Sequence, residues 1–122
     1  MKRTLAGMAF FLACLMNLSE AQTMNNDTSA LSPKEQQIAA ISAHTARGDM
    51  PGLRNALTAG LDAGLTLNEL KEVLVQMYAY CGFPRSLNAL NELMVLAKDR
   101  ASRGINDTVG AEAGAPPAGK SI

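Results

Sequence analysis

Thr66-Leu67-Asn68-Glu69-Leu70-Lys71-Glu72-Val73-Leu74-Val75-Gln76-Met77-Tyr78-Ala79-Tyr80-Cys81-Gly82-Phe83-Pro84 is the stretch that decides the fold. Thr66 and Glu69 have the spacing of a capping box, in which each side chain satisfies an otherwise orphaned backbone N–H of the other. Leu65 precedes the cap and Leu70 follows it four helical positions in, the pairing of a hydrophobic staple. Leu70, Val73, Leu74, Met77 and Cys81 then recur every three to four residues, which lays them on one face of a helix and excludes a strand alternation. Gly82 supplies the left-handed residue that ends such a helix, and Pro84 prevents simple continuation. A capped helix running into a sharp corner is the expectation.

The same signals continue in both directions. Upstream, Ser32-Pro33-Lys34-Glu35 predicts a helix start, with Pro33 at the first helical position and Glu35 completing a second capping box. Ile38 and Ile41 form its apolar stripe, and Arg47-Gly48 its stop. Asp49 caps a second helix with Pro51 in the first turn. Leu53, Leu57 and Leu61 repeat every four residues beside Ala56 and Gly60, small residues that admit a neighbouring helix. Asp62-Ala63-Gly64 ends it. Downstream, a fourth helix from about Pro84 is expected to turn Leu87, Leu90, Met94 and Ala97 inward, with Leu93 beside them, and to run out at Arg103-Gly104. The fold class is therefore all-α, a small bundle of about four main helices.

The ends of the chain read differently. Met1-Lys2-Arg3-Thr4 is a basic start, Leu5 to about Leu18 an apolar run, and Ser19-Glu20-Ala21 a small-residue cleavage pattern. Together they predict a signal peptide over residues 1–21, with export to the periplasm or the exterior and no membrane span left after cleavage. A polar leader over 22–30 precedes the helical domain at 31–104. The Gly-, Ala- and Pro-rich remainder, 105–122, is expected to be a loose tail.

Composition bounds the function. The 122 residues hold 11 Lys+Arg and 11 Asp+Glu, so the formal net charge is +0. This balance excludes a strongly basic nucleic-acid binder. The length allows one small domain. Loss of residues 1–21 removes Cys14 and leaves Cys81 alone, so no internal disulfide can brace the processed chain, and helix packing together with self-association has to supply its stability. No phosphate-binding Gly loop, Cys-x-x-Cys, His-Glu-x-x-His or Gly-x-Ser-x-Gly occurs, and one His with one Cys does not make a zinc site. Neither a metal nor a cofactor is expected.

Every aromatic of the processed chain lies between Tyr78 and Phe83, and this cluster marks the candidate site. Tyr78 and Tyr80, two apart on a helix, point to different faces, so at least one is free to line a cleft. Arg85 follows the corner as a cation able to meet an anionic ligand. His44, near the end of the first helix, is the one imidazole and the candidate acid–base group. Cys81 is the one thiol left.

Ala63 to Gln76, then Tyr78-Ala79-Tyr80-Cys81-Gly82-Phe83-Pro84 and Leu87-Asn88-Ala89-Leu90, resemble the carboxymuconolactone decarboxylase family, of alkylhydroperoxidase D-like fold, with a weaker likeness reaching back to Leu31. The resemblance implies a helical bundle that assembles into trimers or hexamers. It also implies a small-molecule substrate, since family members include a decarboxylase of aromatic-acid breakdown and peroxide-reducing proteins. The peroxidase branch carries Cys-x-x-Cys and then a His, and counting back from Gly64 aligns those positions with Asp49, Gly52 and Ala56. The two-thiol relay is therefore absent from this chain. The resulting expectation is an exported, metal-free enzyme acting on a carboxylated or lactone-like substrate at a subunit interface, with His44, Tyr80 and Cys81 as candidate catalytic groups. Arg85 and Tyr78 are the candidate binding residues. The alternatives are a non-catalytic oligomeric binding module, and a peroxide-reducing protein using Cys81 alone.

Overall fold

A computed structural model describes residues 30–115. The segment expected to be a signal peptide (1–21), nearly all of the expected leader and the last seven residues of the tail lie outside the described residues. All regular secondary structure within them is helical: α1 (Pro33–Arg47), α2 (Met50–Asp62), α3 (Leu67–Gln76), the single turn α4 (Tyr78–Cys81) and α5 (Phe83–Ser102). The all-α expectation holds, and four of these five helices are the four main ones.

Local chemistry sets the boundaries. Gly48 takes φ +71° between α1 and α2, and Gly64 takes φ +92° between α2 and α3. Both are left-handed positions that side-chain-bearing residues occupy at a cost. The Asp49 carboxylate accepts from the Gly52 N–H at 3.0 Å and caps α2. The Thr66 box is complete: the Glu69 N–H donates to Thr66 Oγ1 at 3.1 Å, and the Thr66 N–H donates to Glu69 Oε2 at 2.7 Å.

One core holds α1, α2, α3 and α5. Ile41, Leu53, Leu57, Leu70, Leu74 and Ala89 are fully enclosed, with Ala56, Leu61, Leu65, Leu93 and Leu96 nearly so. Gly60 permits a close approach, because a Cβ there would stand 3.3 Å from Ile41 Cδ1 and 3.1 Å from Leu65 Cδ1. Burial of the isoleucine and leucines, each contributing about 1.5–3 kcal/mol, is the main stabilising term.

Three expectations are corrected. The third helix is not continuous to Cys81. It breaks at Met77, where the Tyr80 N–H bonds the Met77 carbonyl three residues back at 3.1 Å, tightening the ladder and setting α4 apart. The inward face of α5 is rotated by about one residue, or roughly 100°. Ser86, Ala89, Leu93, Leu96 and Arg100 are buried, whereas Leu87 is 41% and Met94 69% exposed. Small Ser86 and Ala89 let α5 approach α3, and Ser86 Oγ donates to the Leu74 carbonyl at 2.7 Å. The larger Leu87 and Met94, which periodicity favours for the core, are left outside.

The tail, finally, is not loose from its first residue. Arg100, 5% exposed, reaches Asp107 through Nε and Nη2, both at 2.8 Å, and Asp62 through Nη2 at 2.9 Å. The Leu67 and Asn68 N–H groups donate to the Thr108 and Val109 carbonyls at 3.0 and 2.9 Å. Backbone donors left free at the start of α3 thus find acceptors in the tail, which composition alone does not reveal.

Candidate functional site

The end of α1 meets the turn into α2 through His44 and the start of α5 through Arg85, and α4 packs against α1 and α5. His44 lies in the last turn of α1, and its Nδ1 is 2.9 Å from Asp49 Oδ2, across the Gly48 turn. Asp49 thus uses one oxygen to cap α2 and the other to hold the imidazole. The Gly52 backbone N–H, followed by the His44 hydrogen bond, holds the Asp49 carboxyl below its ordinary range. An ionised Asp49 accepts the proton on Nδ1 and leaves Nε2 as the exchangeable nitrogen.

Gly52 makes this arrangement possible. A Cβ at that position would overlap His44 Nδ1 and Cε1 and Asp49 Oδ2, so the imidazole occupies space that any other residue would fill. Sequence spacing marks Asp49 as a cap and does not pair it with His44. Its signal is a His in the last turn of one helix and an Asp cap on the next, joined by a tight glycine turn.

Arg85 joins the same corner. Its Nη1 donates to the Ala46 carbonyl at the C-terminal end of α1, and a Cβ on Gly48 would lie 3.4 Å from that nitrogen. A cation at a helix C-terminus meets the negative end of the helix dipole. Four further guanidinium N–H donors are available for a ligand.

The aromatic residues separate. Tyr78 meets Phe83 edge-to-face, with centroids 6.1 Å apart. With Val75, Ser86 and Leu90 they line a hollow of about 370 Å³. Val75 and Leu90 also line a larger apolar groove of about 470 Å³ between α3 and α5, which extends past Leu67, Leu87 and Met94. Tyr80, 76% exposed, has its ring in solvent. Cys81 is half-buried and unpaired, its S–H donating to the Met77 carbonyl at 3.2 Å. The structure therefore gathers His44 and Arg85 at one corner, puts Tyr78 into the apolar hollow, and shows no bond linking Tyr80 or Cys81 to the imidazole.

Among the described residues, no group of three or more His, Cys, Asp or Glu side chains is placed to hold a metal ion, and no helix is long and apolar enough to cross a membrane.

This helical bundle is of the alkylhydroperoxidase-like class, the fold of the family whose sequence profile the chain matches. The sequence profile of the carboxymuconolactone decarboxylase family matches residues 11–93, and the chain belongs to that family. No curated protein and no solved structure matches it significantly.

Proposed function

We propose that this chain is an exported small-molecule enzyme of its family, in which His44, oriented by Asp49, moves a proton on a carboxylated or lactone-like substrate. The observation that carries this reading is the His44–Asp49 pair seated on Gly52. An imidazole fixed at Nδ1 by a carboxylate presents Nε2 in one tautomer. In a decarboxylation the carbon–carboxylate bond breaks, CO2 leaves, and the electron pair left behind takes a proton that His44 Nε2 has first accepted from solvent, while Nδ1 keeps its own proton on Asp49. Arg85, two residues beyond Phe83, binds the substrate carboxylate, and the Tyr78 hollow receives its apolar part.

Assembly belongs to the same proposal. Val75, Tyr78, Phe83, Leu87 and Met94 form an exposed apolar face on α3–α5, larger in character than the scattered apolar residues of an ordinary monomer surface. A homo-oligomer, a trimer or hexamer as family resemblance suggests, covers this face and places the hollow at a subunit interface. Export rests on the basic, apolar and small-residue pattern of residues 1–21.

Purified protein tested on the lactone that gives the family its name decides the matter. Turnover that falls at least 100-fold in His44→Gln supports the enzyme; an inert wild-type protein supports the non-catalytic binding module instead. Peroxide reduction by Cys81 has less support, because its S–H is engaged by the Met77 carbonyl and no second thiol remains in the described chain.

A further inference from the structure

We infer that Ile105–Gly110 is a strap whose attachment controls the Leu67–Asn68 end of the α3–α5 groove. Three independent contacts hold it. The first is the clasp, where the buried guanidinium of Arg100 grips both oxygens of Asp107 and one of Asp62. Asp62 ends α2 and Arg100 lies on α5, so the clasp ties the strap to two core helices. A paired, bidentate guanidinium of this kind is geometrically specific and cannot be replaced by a lone cation.

The second contact is backbone. The Thr108 and Val109 carbonyls accept from the first two N–H groups of α3, and the Gly110 carbonyl accepts from Asn68 Nδ2 at 3.1 Å. The third is steric. Gly110, at φ +79°, lies so close to Thr66 that a Cβ would overlap its hydroxyl and both side-chain carbons. Gly104, at φ +80°, starts the strap with the turn that brings it back, and the Ile105 N–H bonds the Arg100 carbonyl at 3.0 Å.

Leu67 and Asn68 carry the coupling. Both are bonded by the strap, and both line the apolar groove with Val75, Leu90 and Met94. Beyond Gly110, Ala111–Ala113 run beside Ile38, Leu65 and Val73 on the other side of α3. Detaching the strap frees the α3 N-terminus and loosens one wall of the groove. By reciprocity, a ligand or subunit seated in the groove favours the attached strap. Tail and groove form one conformational unit.

Hydrogen exchange of the full chain, with bis-ANS as the probe of the apolar groove, tests this. Asp107→Asn removes the charge that Arg100 grips. Gly110→Ala pushes the strap off Thr66 without touching the clasp, and keeps the test open where Asp107→Asn does not fold. In either folded variant, the Leu67 and Asn68 amides exchange at least tenfold faster while Leu57 and Leu74 keep their protection, and bis-ANS affinity changes at least threefold. Unchanged Leu67 and Asn68 exchange in a folded variant overturns the strap. Faster exchange with unchanged bis-ANS affinity overturns its coupling to the groove.

Discussion

The Nδ1 of His44 stands 2.9 Å from Oδ2 of Asp49, so the last turn of α1 and the cap of α2 share one carboxylate. In the proposed enzyme, a structural cap thereby serves also as the partner of the proton-transfer group. The two positions that family resemblance aligns with paired cysteines, Asp49 and Gly52, are those that hold the imidazole. Neither aligned position is a cysteine, and the His44 imidazole packs against both.

Gly52→Ala tests that geometry without removing either partner. The new methyl group overlaps the imidazole and the carboxylate, so one of them must move. Overpacking of this kind costs about 1–3 kcal/mol, offset in part by the better helix propensity of Ala. We expect a modest fall in melting temperature and a loss of turnover of at least tenfold. Circular dichroism melts paired with initial rates check both.

Acid should weaken the fold through two caps. The Asp49 carboxyl is lowered by the Gly52 N–H and then by His44, and that of Glu69 by the Thr66 N–H. A carboxyl depressed in the folded state stabilises it above the unfolded-state value, near 4, and loses that contribution as pH falls through the folded-state value. Melting temperature is therefore flat above about pH 5 and declines below about pH 4. In Asp49→Asn and Glu69→Gln the decline is shallower, starting from a lower plateau, as thermal melts across pH 2–7 will show.

Arg100 and Arg54 should respond very differently to truncation. Arg100 is buried against Asp107 and Asp62, and hydrogen bonding to Asp107 pushes its guanidinium pKa above the usual range. Removing one partner of a buried pair costs about 3–5 kcal/mol. Arg54 pairs with Glu92 at 2.6 Å and Asp99 at 3.3 Å on a more open surface, where solvent screens the pairs and truncation costs far less. Denaturant midpoints of Arg100→Ala and Arg54→Ala measure the contrast.

Met94→Lys and Leu57→Ala separate assembly from folding. Met94 lies in the exposed groove and Leu57 is fully enclosed. Leu57→Ala costs about 2–5 kcal/mol wherever it is measured. Met94→Lys changes the stability of an isolated chain by about 0.5 kcal/mol or less, yet is expected to reduce the proposed oligomer to a smaller species. Light scattering after size exclusion distinguishes the two.

How far the residues themselves announced this structure varies along the chain. The Thr66 box, the Asp49 cap and the Leu53–Leu57–Leu61 stripe were legible because each depends on spacing within a few residues. The face of α5 was not. Its two adjacent apolar stripes differ mainly in size, and the choice between them is made by the close approach that Ser86 and Ala89 allow. The strap escaped notice because Arg100 and Asp107 look like ordinary surface charges until the chain returns at Gly104. At the site, His44 and Arg85 were identified singly. Their shared corner depends on the Gly48 turn and on the open space at Gly52, which no local pattern encodes.

The most direct measurement is the rate at which wild-type protein and His44→Gln decarboxylate the family lactone under identical conditions. The account predicts measurable CO2 release by the wild type and a loss of roughly 100- to 10,000-fold in the variant, with its melting curve retained, as expected for removal of a positioned proton-transfer group. Equal rates in the two proteins would contradict it.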